Sequence, residues 1–152
     1  MNLGTASERI GVPRALLLAV LLNALWINVS EWFRYYVFVM PMMRQAFPQI
    51  PDVAPLSIPV ALVWEVWGTI LIAAVVGFTW LFLERFGGGT GNALAAGTWA
   101  WLGIFGILWI GLLNMNLATP SVVAAALPLA WVELAVAALI VDWCRSKYGV
   151  HA

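Results

Sequence analysis

The chain is a succession of long apolar runs broken at few places, and each run is of helical, membrane-spanning length. A helix rises about 1.5 Å per residue, so about 20 residues cross the roughly 30 Å of bilayer hydrocarbon. The first run covers about 14–39; Pro13 precedes it, as suits a helix start, and Met40-Pro41 closes it. The second covers about 59–83 and stops at Glu84-Arg85 before Gly87-Gly88-Gly89. From Phe86 to Val132 no residue is charged, a run too long for one crossing, and Ala118-Thr119-Pro120-Ser121 is its natural break. The third and fourth spans are therefore about 92–117 and 121–143. The pattern predicts an all-α, four-helix transmembrane bundle in one domain spanning residues 1–152. Leu25-Trp26-Ile27 recurs as Leu108-Trp109-Ile110, and Val63-Trp64-Glu65 is echoed by Trp131-Val132-Glu133, which suggests two tandem helical hairpins.

Composition agrees with the pattern. The chain is 64% hydrophobic and 9% charged, with mean hydropathy +0.96. A soluble domain has roughly 25% charged residues, so an integral membrane protein with membrane lipid around it is expected. The net charge is zero, which leaves no basic field for nucleic acid. Arg9 and Arg14 ahead of an apolar run resemble a signal peptide, but the run outlasts an h-region and no small-x-small cleavage site follows. Arg9, Arg14, Arg85, Arg145 and Lys147 fall on one side of the membrane and Arg34 and Arg44 on the other. By the positive-inside rule both termini are cytoplasmic, and the proline-rich loop 41–58 is extracytoplasmic, packed over the bundle mouth.

Three carboxylates inside these spans carry the candidate chemistry: Glu31, Glu65 and Glu133. An acid within a bilayer is costly and marks a functional site by default. Counting at 1.5 Å per residue, Glu31 lies about 26 Å above Arg14, Glu65 about 30 Å above Arg85, and Glu133 roughly 18 Å above Arg145. Glu31 and Glu65 thus form a rim and Glu133 a floor, with Asn114 at the outer edge facing other helices. Asn28, Glu31 and Tyr35 share one stripe of the first helix. Gly97, Gly103, Gly106 and Gly111 would allow the third helix a close backbone approach.

Plainer roles stand beside these. Glu31 pairs with Arg34 at i, i+3, the arginine snorkelling to water; Glu65 is a hydrated acid near a helix start; Glu133 is an acid hydrogen-bonded to a neighbouring helix as packing glue. Trp26, Trp64, Trp109 and Trp131, among 10 tryptophans, belong to interfacial belts or form aromatic walls for a cationic or planar lipophilic ligand.

Other chemistries fall away. The single histidine, His151, lies in the tail, and the single Cys144 allows no internal disulfide and no multi-cysteine metal site. Met40, Met42 and Met43 suit gap-filling better than copper binding. The glycine-rich stretch at Gly87–Gly91 lacks the lysine of a phosphate loop. No metal and no cofactor is expected.

The segment 91–143, with Gly97, Trp101-Leu102-Gly103, Asn114 and the closing Trp143, resembles an uncharacterised family of small four-span bacterial membrane proteins. The resemblance implies a bacterial inner-membrane protein and assigns no catalytic residue.

The leading expectation is an outward-facing pocket that binds a lipophilic small molecule. Glu133, Glu65 and Glu31 are its acid and base groups; Asn28, Trp26, Trp64, Trp109, Asn114 and Trp131 are its lining. If it is catalytic, the reaction is a cofactor-independent isomerisation, cyclisation or epoxide opening. The alternatives are a proton-coupled transporter acting as a homo-oligomer, and a structural subunit or assembly factor of a membrane complex.

Overall fold

A computed structural model describes residues 6–149 except Leu56, with side chains from Arg14 onward; the side chain of Arg9 and the whole of His151 lie outside the described residues. Six α-helices and two π-helical turns account for the described secondary structure: α1 (Ala6–Arg34), a π turn (Tyr35–Val39), α2 (Met40–Ala46), α3 (Ile58–Phe86), α4 (Thr90–Trp101), a second π turn (Leu102–Gly106), α5 (Ile107–Asn114) and α6 (Pro120–Tyr148). They combine into four spans, Arg14–Ala46, Ile58–Phe86, Thr90–Asn114 and Pro120–Tyr148, each long and apolar enough to cross a membrane. The protein is an all-α, four-helix membrane bundle.

The boundaries differ from those expected for identifiable reasons. Pro13 does not start the first helix, since α1 begins at Ala6. Met40-Pro41 does not end it, because the π turn before α2 widens the helix, with the Met40 amide bonding Tyr35 O, and this absorbs a proline that has no amide to donate. The third span stops at Asn114, with Asn116 at φ 57 reversing the chain. Thr119 then caps α6, its hydroxyl accepting from the Val122 amide at 3.4 Å, and Pro120 occupies the first turn.

Packing runs round a ring. α1 packs on α6 and α3, α4 packs on α3 and α6, and α3 also touches α6. On α1, Ala15, Ala19, Asn23, Ile27 and Arg34 are buried with Ser30 half-buried between them, while Leu17, Leu21, Leu25 and Val29 are exposed on the outside of the bundle. The i, i+4 spacing of each set gives one helix a bundle face and an outer face. Against the first of these, α6 sets Ala126, Ala130, Glu133, Leu134, Ala137, Ala138 and Val141. The closest approach is at Gly97, where an added Cβ would lie 2.7 Å from the Leu134 carbonyl oxygen and 3.0 Å from Ala135 Cα. Gly103 and Gly111 meet nothing, and the approach expected of all four glycines falls to Gly97.

At the end near the chain termini the bundle is tightly closed. Here Val75, Leu83, Ala93, Ala137, Ala138, Val141 and Cys144 are fully buried. The turn from α3 to α4 is fastened to α6 by the Gly89 amide, which donates to Asp142 Oδ1 at 2.9 Å, while Asn92 Nδ2 donates to Phe86 O and Gly87 O at 3.0 Å each. Gly87 (φ 91) and Gly89 (φ 112) adopt conformations that L side chains avoid. Gly89→Ala is therefore expected to lose about 1 kcal/mol in reversible unfolding in micelles, although no side chain crowds the position.

At the other end, which carries the loop between α2 and α3, the bundle opens. Between Ile58 and Ile70 every residue of α3 is exposed except Val60 and Gly68. Asn28 marks the last contact, its Oδ1 lying 3.8 Å from where a Gly68 Cβ would stand. Beyond that level α3 makes no contact with the first π turn, α2 or α5, so an open cleft separates its exposed half from the rest of the bundle. The loop folds back along its own helix, with Arg44 Nη2 donating to Ala54 O at 3.1 Å and Tyr35 Oη to Pro55 O at 3.5 Å.

Candidate functional site

The bundle face of α1 presents Ser30 and Arg34 to α6 at the level where α6 presents Glu133. Ser30 Oγ donates to Glu133 Oε2 at 2.7 Å, and Arg34 Nη1 lies 3.6 Å from the same oxygen. Arg34 Nη2 is ion-paired with Glu31 Oε1 one helical turn back. The guanidinium also stands over the Phe105 ring, 4.6 Å from its centroid. Behind the carboxylate, Trp26 Nε1 donates to the Glu133 backbone carbonyl at 2.9 Å, which locks the indole between α1 and α6.

Burial decides how these contacts behave. Arg34 is 5% exposed and Glu133 1%, whereas the Glu31 side chain is 33% exposed. The expected pair of Glu31 with Arg34 forms, but the arginine does not snorkel to water; it turns inward and bridges two carboxylates. Two polar atoms of this cluster have no hydrogen-bond partner, Glu133 Oε1 and Arg34 Nη1. Arg34 Nη1 is partly compensated by Glu133 Oε2 and by the Phe105 ring, so Glu133 Oε1 is the acceptor without a donor, and the Glu31 carboxyl also comes within hydrogen-bonding reach of Glu133. The two π-helical turns both abut the cluster: one follows Arg34 directly, and the other carries Phe105. Such turns re-aim side chains and recur at functional sites.

The remaining expected site residues lie elsewhere. Asn28 donates to Ala24 O of its own helix at 2.7 Å and faces Gly68. Glu65 is on the exposed half of α3, beside Trp64 at 60% exposure, and neither joins the cluster. Asn114 is exposed at the end of α5 instead of facing other helices, because the helix ends there. Trp109 packs against the apolar core without reaching Glu133. Trp131 is 38% exposed on another face of α6, its Nε1 donating to Thr98 Oγ1 at 3.1 Å. Two residues apart on a helix means about 200° of rotation, so Trp131 and Glu133 cannot line one pocket. The single pocket of carboxylates and tryptophans is thus resolved into two places: the polar cluster, and an apolar groove beside Trp131.

Ser30 and Phe105 carry no sequence signal of their own for this site, and the i, i+3 spacing of Glu31 and Arg34 alone suits a surface pair. The signal that places Arg34 inside is the run Ala15, Ala19, Asn23, Ile27, Ser30, Arg34, whose spacing of three and four continues the small-residue face of α1. Among the described residues no group of three or more His, Cys, Asp or Glu side chains is placed to hold a metal ion. Fold and site together define a small four-span integral membrane protein with a buried arginine–carboxylate cluster. Comparison of the chain with family models, with curated proteins and with solved structures gives no match.

Proposed function

We propose that the protein binds a lipophilic amine, which enters from the bilayer through the cleft beside the exposed half of α3 and places its ammonium group at Glu133. The observation that carries this reading is the bare Glu133 Oε1, a buried carboxylate oxygen without a donor. Two carboxylates face one guanidinium in the cluster, so one further positive charge, a proton or a cationic ligand, completes it. Glu31, half-open beside the cleft, meets the cation first; Trp26 and Phe105 supply apolar and aromatic surface for its body. On this reading the cleft faces the extracytoplasmic side.

Binding is favoured over transformation because the one Arg34 guanidinium engages both carboxylates, Glu31 at Oε1 and Glu133 at Oε2. It is favoured over passage through the membrane because the terminal end of the bundle is filled by apolar side chains.

Calorimetric titration of phenylbutylamine into the protein in lipid nanodiscs, with phenylbutanol as the uncharged control, tests the reading. The amine is expected to bind and the alcohol not, and Glu133→Gln, which keeps the shape and removes the charge, is expected to weaken the amine at least about tenfold, or about 1.4 kcal/mol. Equal affinity in the Gln variant would make the cluster a packing device.

A further inference from the structure

The second place, the groove beside Trp131, lies between α4–α5 and α6 and measures about 650 Å³, within the usual range of ligand sites. Trp101, Leu113, Pro120, Val123, Leu127 and Trp131 line it, with Ala124 and Pro128 between them. No lining residue is charged. Both indoles are fixed, Trp101 Nε1 donating to Leu127 O at 2.9 Å and Trp131 Nε1 to Thr98 Oγ1, so neither ring nitrogen is free to bind a guest. Along α6 the groove runs from Trp131, near mid-membrane, to Pro120 at the loop end, about 16 Å at 1.5 Å per residue.

One polar group is left over near its shallow end. Pro128 sits inside α6 and has no amide, so the carbonyl of Ala124, four residues earlier, loses its helical donor where Ala124 lines the groove. Within hydrocarbon an unfilled carbonyl is costly, and the matching guest brings a hydroxyl. We infer that the groove binds a neutral lipid alcohol: a single hydroxyl donating to the Ala124 carbonyl toward the loop end, and a rigid apolar body about 10 Å long reaching from there down to Trp101 and Trp131. An ionic head group is excluded by the uncharged lining. This site does not depend on the amine reading, since it shares no residue with the polar cluster.

A photoreactive sterol alcohol and its methyl ether, compared in phosphatidylcholine nanodiscs by mass-spectrometric mapping of labelled residues, provide the test. Labelling is expected to concentrate on the α4–α6 groove, with the alcohol preferred on the order of fivefold, as one hydrogen bond would give. Pro128→Ala restores the amide to the Ala124 carbonyl and should erase that preference, while Ala124→Phe, at an exposed position, should fill the groove and abolish labelling there. Glu133→Gln should change neither result. Labelling spread equally over the exposed Leu17, Leu21 and Leu25 face, or a preference that survives Pro128→Ala, would overturn the inference.

Discussion

Replacing Arg34 by alanine is expected to destabilise the protein by about 3 to 5 kcal/mol, the cost of leaving buried carboxylates without their countercharge. Arg34 is 5% exposed and touches Glu31, Glu133 and the Phe105 ring at once, so a single truncation removes an ion pair, a second electrostatic contact and a cation–π contact. The loss belongs mainly to the orphaned acids. Accordingly, Arg34→Met combined with Glu133→Met should recover much of the stability, since an apolar pair of similar volume fills the same space without desolvated charge. Arg34→Lys should rescue poorly, because a single ammonium cannot serve two carboxylates with a planar fork. Unfolding in mixed micelles would show the pattern; an Arg34→Ala loss below about 1 kcal/mol, the range of exposed ion pairs, would mean that the cluster is solvated.

The second large effect is expected at Gly97. Its missing side chain allows α4 to lie against the α6 backbone, and a methyl group there would stand 2.7 Å from a carbonyl oxygen and 3.0 Å from a Cα, neither of which can rotate away. Overpacking of this kind costs about 1 to 3 kcal/mol for Gly97→Ala, and more for Gly97→Val. Gly103, where an added Cβ meets nothing, is the control, and Gly103→Ala should be neutral or slightly stabilising. If the two substitutions behave alike, the α4–α6 contact is looser than described.

Much of this architecture was legible in the chain. The four spans follow from long apolar runs and from Gly87–Gly91 and Thr119-Pro120 between them, because hydrocarbon thickness admits few alternatives. Helix ends are less legible: Pro41 carries a stop signal and is absorbed by a π turn, which the apolar pattern does not mark. Within the site, residue counts order the acids along the helix axes, and helical azimuth decides which of them meet. Glu133 is the most buried of the three expected acids, at 1% exposed. Trp131 lies two helical positions from Glu133, which turns it to another face. Likewise Glu65 has an outer position comparable to Glu31, but α3 stands open beyond Gly68, and that opening leaves no mark in the helix's own sequence.

These distinctions give the polar cluster its meaning. Ser30, Arg34 and Glu133 meet because two small-residue faces, one on α1 and one on α6, bring the helices together. Glu31, its side chain 33% exposed, lies on the loop side of this contact, toward the end where α3 stands open. A bundle closed at one end and open at the other is the geometry on which the proposed capture of a membrane-dissolved amine rests.

Proton release on ligand binding tests that central claim most directly. In weakly buffered nanodiscs, a lipophilic amine that takes the place of the proton completing the Glu31–Arg34–Glu133 cluster should displace about one proton from the wild-type protein per ligand bound and none from Glu133→Gln. Amine binding with no proton released by the wild type, or with equal release from both proteins, would contradict the account.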